Sequence, residues 1–290
     1  MICLTGDVHH DGLRTNEQLF LAPRKISEVA ITLDYVRLCG KYDVKCTLYV
    51  TGRTLADQWE AFQPVTASPL VEIGGHTYAG LPQGAWVKLL SRLSGEKACS
   101  HSSSPGTCSS QKRDVARMLE IAHRRLDKPI VSWRSHGLVR DRHTYGILAG
   151  AGIKFISDDL NWHQLLPERL PQGLISHPMN VIMDHDHLFH AHRNPEYVAR
   201  QQRPFPDDPA SGSYTIEDWG ALVEKQVRAI EAKGGVATVL MHPLCMFAAD
   251  GFKTMERLLK QFSKFKTIWA SETENYLTPL SKEFNQNAEK

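Results

Sequence analysis

The chain has 290 residues with Lys+Arg 34 against Asp+Glu 32, a formal net charge of +2, which is too balanced for a nucleic-acid or membrane-surface binder that works by releasing counterions. No window approaches the roughly 18 uninterrupted apolar residues of a membrane span, and MICLTGD enters a strand-like run without a basic leader, so the expectation is a soluble, unprocessed, cytoplasmic protein. At roughly 150 residues per domain the length allows two domains, although one α/β barrel commonly reaches about 250.

Taken in chain order, a strand is expected over 2–5, leading into Asp7-Val8-His9-His10. A helix over 23–42 follows, then strands over 46–51 and 71–75, the latter ending at His76. Residues 93–110 are Ser- and Gly-rich and read as a long loop before a helix over 110–126. A strand over 130–133 runs into Arg134-Ser135-His136. A helix over 143–151 precedes a strand over 154–157 that ends at Asp158-Asp159. A further strand is expected over 173–182, a second long loop over 200–214, and a helix over 215–233 that opens on Thr215 and closes before Gly234-Gly235. The strand over 236–241 meets His242, and a helix over 251–265 and a strand over 267–270 complete the set. The alternation predicts a largely parallel sheet in a single closed or nearly closed (β/α) barrel over residues 1–280, with a polar tail at 281–290. A doubly wound open sheet is the alternative.

Four of the six cysteines, Cys3, Cys39, Cys46 and Cys245, lie in apolar runs and read as reduced core residues. Cys99 and Cys108 flank CSHSSSPGTC and could close a small disulfide loop.

Histidine, at 14, outnumbers Met at 7 and Tyr at 8. In a parallel barrel the βα loops open onto one face, so groups at the strand ends converge. That rule collects Asp7, His9, His10, His76, Arg134, His136, Asp158, Asp159 and His242 at one mouth. Imidazoles and carboxylates arriving from separate strands are what a divalent ion needs, and such an ion makes hydrolysis feasible near neutral pH. Singly, each has an ordinary use: Asp7 as a turn residue, His76 as a loop histidine, His242 as a core histidine, Arg134 as an ion-pair partner. Asp184-His185-Asp186-His187 with His190 and His192 also has the composition of a metal cluster, but neighbouring residues of a strand cannot all face one ion.

LTGDVHH (4–10), EIGGHTYAG (72–80), WRSHG (133–137), SDDLNW (157–162) and VLMHP (239–243) resemble, in order and spacing, the five motifs of the polysaccharide deacetylase family, also called NodB-like or carbohydrate esterase four. The resemblance implies a deformed (β/α) barrel of about seven strands that removes an acyl group from an N-acylated sugar with a divalent metal, usually zinc. Position by position, it makes Asp7 the general base and His242 the general acid. Arg134 would orient the base, Asp158 would tune His242, and His9 and His76 would be metal ligands. Trp162, with Trp133 and Tyr78, would line the substrate site. Two departures stand out. Gly80 occupies the place of the family's second ligand histidine, and His136 stands where the third motif has proline. The resemblance therefore leaves three outcomes: a recruited third ligand (His10, His136, His187, His190 or His192), a metal-free carbohydrate-binding barrel, or an amidohydrolase on a non-sugar amide whose carboxylate Arg134 and His136 would hold. A small carbohydrate or amide is the expected partner in catalysis, with no nucleic acid or membrane.

Overall fold

The computed structural model describes residues 1–80, 105–200, 210 and 212–277. Cys99 with its candidate bridge, the stretch up to 104, most of the 200–214 loop and the 281–290 tail lie outside the described residues. Cys3, Cys39, Cys46, Cys108 and Cys245 are free thiols.

The strands are β1 (Ile2–Val8), β2 (Cys46–Val50), β3 (Val71–Gly75), β4 (Ser132–Trp133), β5 (Phe155–Ile156), β6 (Glu168–Arg169), β7 (Ile175–Ser176) and β8 (Ala237–Leu240). They form one sheet in the order β6-β7-β5-β4-β3-β2-β1-β8. Every pairing is parallel except β6 with β7. The central strands β1 and β2 are buried along their whole length, as parallel strands covered on both faces must be. Helix Glu28–Lys41 shows how the cover is built. Ser27 caps it by accepting the Ala30 N–H, and Val29, Thr32, Tyr35, Val36 and Cys39 recur at helical spacing on the buried face.

Two expected strands are corrected. Only Ile175–Ser176 of 173–182 joins the ladder, because the chain then turns to make an isolated bridge from Met179 to Leu160. Residues 267–270 give one bridge, Thr267 to Ile2, before a 3-10 helix takes over at Ala270–Tyr276. The barrel is also not closed by strand pairing, since β6 and β8 stand at the two edges of the sheet. A side chain spans the seam, beside one backbone bond from the Val236 N–H to the Leu165 carbonyl at 2.8 Å. Asn180 Nδ2 donates to the carbonyls of Gln164 (2.8 Å) and Val236 (2.9 Å), and its Oδ1 accepts the Thr238 N–H at 2.9 Å.

Close approach at β3 aims the next residue. A Cβ on Gly75 would lie 2.3 Å from the Trp133 ring and one on Gly74 2.6 Å from the Tyr49 ring, so only glycines let β3 run between those aromatics to His76. Thr77 then adopts φ +62, strained for a β-branched residue. The strain is held by neighbours: the N–H groups of Gly52 and Arg53 donate to the carbonyls of Thr77 (3.0 Å) and Tyr78 (2.8 Å). No helix of the described residues is long and apolar enough to cross a membrane.

Candidate active site

Asp7 sits inside the mouth at the end of β1, 6% exposed. Its Oδ1 accepts from Arg134 Nη1 at 2.8 Å, and its Oδ2 lies 3.5 Å from His242 Nε2 and 3.8 Å from His76 Nε2. Burial works against a charge there, but Arg134, His76 and His242 together hold the carboxyl well below the usual carboxylate range. Arg134, fully buried, gives its Nε–H to Ser157 O (3.0 Å) and its Nη2 hydrogens to Ser157 Oγ (2.8 Å) and Thr5 Oγ1 (2.9 Å). It has no fork left for a substrate carboxylate, which corrects the amide reading that used it that way.

His9, His76 and His136 each offer a ring nitrogen, all within 4.8 Å of one another. Their ring centroids are 5.3, 5.3 and 5.0 Å apart. His9 Nδ1–H donates to Glu28 Oε1 (3.1 Å) and His76 Nδ1–H to the Arg134 carbonyl (2.8 Å), which leaves Nε2 of both rings as the available lone pair. Carboxylate and carbonyl partners of this kind fix the tautomer of metal-ligating histidines. Burial pushes His76 down to about 4 against the pull of Asp7. At Gly80, which has φ +83, a Cβ would come 3.8 Å from the His136 ring. His136 thus stands beside the position where the resemblance expects the second motif's other histidine.

The other expected residues divide. His10 is turned away, its Nδ1 3.1 Å from Thr51 Oγ1, and does not join the three-imidazole group. Asp158 accepts from the Ser135 N–H (2.6 Å) and Ser135 Oγ (2.8 Å), so it shapes the turn before His136 and is not the partner of His242. That place belongs to Asp184, whose Oδ1 is 2.7 Å from His242 Nδ1 and whose Oδ2 accepts the His242 N–H at 2.5 Å. Burial opposes a charge on His242, but Asp184 and Asp7 outweigh it and lift the imidazole well above its ordinary value. Trp133 is a core side chain, 1% exposed, that also walls a cavity of about 90 Å³ beside Thr77, Gly80 and Ser135. Tyr78 lies under the Arg117 guanidinium, 3.8 Å from its ring centre, and Trp162 is half-buried against the core. Neither reaches a polar group of the Asp7 site among the contacts of the described residues.

Sequence reasoning missed Glu28 and had Asp184 only as part of an acidic and histidine-rich run. A signal existed for Asp184, an Asp just beyond an apolar stretch that would top the barrel, but its partner is 58 residues away.

No family model and no curated protein matches the sequence. Among solved structures, a Mycobacterium smegmatis protein named after the polysaccharide deacetylases superposes with a TM-score of 0.62 at 16% identity, over 96% of this chain and 91% of its own. PuuE allantoinase also gives 0.62, at 9% identity, over 94% and 88%. A variant of a CE4 family pseudoenzyme with restored enzymatic activity gives 0.51 at 14% identity, over 96% and 68%. The chain has the fold of these proteins, a deformed (β/α) barrel left open between β6 and β8.

Proposed function

We propose, from a fold shared with polysaccharide deacetylases and the site at its mouth, that the protein hydrolyses the amide C–N bond of an N-acylated amino sugar or a related small amide. A divalent ion, zinc before others, would be held by His9, His76 and His136. The observation that carries the reading is the place of Asp7, whose Oδ2 faces both the His76 member of the three-imidazole group and His242, at 3.8 and 3.5 Å.

The donor set suits a borderline divalent ion: three imidazoles from three different strand ends, with the tautomers of His9 and His76 already set by Glu28 and the Arg134 carbonyl. When bound, an ion there polarises the acyl carbonyl and brings the acidity of water toward neutrality. Asp7, kept ionised by Arg134, takes the proton of the attacking water. His242 carries a proton on Nε2 because Asp184 fixes Nδ1 and stabilises the imidazolium, and it gives that proton to the departing nitrogen. Base and acid are in their working states together because their surroundings push their pKa values in opposite directions.

The fold also carries the allantoinase similarity, and a ureide is the second substrate class. Acetate release from N-acetylglucosamine oligomers, measured beside opening of allantoin, separates the two. Turnover of the oligomers with none of allantoin is the expected outcome, and the reverse would move the assignment to a non-sugar amide.

A further inference from the structure

The pair of Asp184 and His242 has a third neighbour that the chemistry above does not use. His242 caps the N-terminus of helix Pro243–Asp250, and Cys245 follows three residues later, where side chains of a first turn share a face. An oxygen of Asp184, a ring nitrogen of His242 and the sulfur of Cys245 all lie within 4.8 Å of one another. They come from two separate segments, since Asp184 opens the short helix Asp184–His187. All three residues are buried, and Cys245 is a free thiol.

Carboxylate, imidazole and thiolate are the three side-chain types that zinc takes as ligands, and its bonds of about 2.0–2.3 Å set neighbouring ligand atoms about 3.3–3.6 Å apart. The 2.7 Å contact between Asp184 Oδ1 and His242 Nδ1 would widen by about 0.6 Å to admit it. Charge decides whether so buried a place can take an ion. A carboxylate, an imidazolium and a thiol carry no net charge together. A carboxylate, a neutral imidazole, a thiolate and a divalent ion carry none either, because the ion displaces one proton from His242 and one from Cys245 into solvent. The exchange leaves no uncompensated buried charge. Burial and the carboxylates of Asp184, Glu17, Glu28 and Asp186 push the Cys245 thiol well above its ordinary value, and the negative field that resists a bare thiolate attracts a cation.

We infer that Asp184, His242 and Cys245 form a second divalent-metal site, which fills after the His9, His76 and His136 group and switches the reaction off. It fills second because its ion must displace two protons and part a hydrogen bond, whereas His9 and His76 already present free Nε2 lone pairs. With the ion bound, His242 has lost the proton that it would give to the departing nitrogen. The inhibition rests on the reaction proposed above; the binding of the ion does not.

Cobalt(II) and zinc(II) are the probes. Cobalt is added to chelator-stripped protein, the thiolate-to-cobalt charge-transfer band is followed in the near ultraviolet, and bound metal is counted by mass spectrometry. The three-imidazole group contains no sulfur, so it contributes nothing to that band. The wild type should develop the band as a second equivalent binds, while Cys245→Ala and Cys245→Ser should stop at one equivalent without it. Two replacements keep the test open if one does not fold. With zinc, acetate release from an N-acetylglucosamine oligomer should rise and then fall at least about tenfold in the wild type, and only rise in the two variants. No band in the wild type, or a band that both variants keep, overturns the site. A single equivalent that carries the band supports it and overturns the three-imidazole site. A band with no fall in turnover, or an equal fall in the variants, overturns the inhibition. A band lost in both variants, with no turnover at any zinc concentration, supports the site and overturns the reaction instead.

Discussion

Asp184 grips His242 through both its ring and its backbone N–H, and in the proposed reaction this pair would set the alkaline side. An imidazole acid works only while protonated, so a raised pKa carries activity to higher pH and the limb falls as pH rises through it. Asp184→Asn should therefore move the alkaline limb of kcat/KM down toward the ordinary imidazole range and lower the rate about 10–100-fold. An unmoved limb would mean that another group sets it. Asp7→Asn should cost roughly 10²–10⁴ in kcat, and it also leaves the fully buried Arg134 without its counter-charge. A thermal melt run beside the assay separates lost chemistry from lost fold. At this scale Asp7, His76, Arg134, His136 and His242 were legible as one cluster because each lies at the end of a strand or within three residues beyond it, and strand ends in a parallel barrel meet. Glu28 and Asp184 were not: they reach His9 and His242 across 19 and 58 residues. Glu28 also lies in the first turn of its helix, where an acidic residue already has a reason to be.

At the scale of elements, the glycine pair at the end of β3 and the asparagine at the seam position the site. Gly75→Ala must push the Trp133 ring aside, since its Cβ would fall 2.3 Å away. A cost of about 1–3 kcal/mol in denaturant unfolding is expected, together with weaker zinc binding as His76 shifts. Asn180→Ala removes three hydrogen bonds, two of which, to Val236 and Thr238, join the β8 end to the 160–180 region, leaving buried backbone groups without partners. It should destabilise by about 2–4 kcal/mol in the same measurement. The alternation of strands and helices was readable from periodicity, and so was the Thr215 cap of helix Ile216–Ala232, whereas the helix expected over 23–42 begins only after the Ser27 cap, at Glu28. The short strands were not. An apolar stretch such as 173–182 reads as a continuous strand, yet only Ile175–Ser176 joins the ladder before the chain leaves it. The seam is held by the Asn180 side chain beside one backbone bond, Val236 N–H to the Leu165 carbonyl, and no hydrophobic pattern signals either.

Over the whole molecule, the proposed metal would tie together loops from β1, β3 and β4, because His9, His76 and His136 follow those three strands. An ion that binds only the folded chain should stabilise it by about 2.7 kcal/mol at a concentration 100-fold above its Kd, so stripped protein should melt at a lower temperature and recover on re-addition of zinc. On this proposal His136 replaces the ligand that Gly80 cannot supply and so sustains hydrolysis. The most direct measurement follows acetate release from an N-acetylglucosamine oligomer by stripped wild type and stripped His136→Ala as zinc is added back. Zinc should restore turnover to the wild type and leave His136→Ala at least tenfold short at the same zinc concentration. Full turnover by the stripped wild type, or equal zinc-dependent recovery by both proteins, would contradict the account.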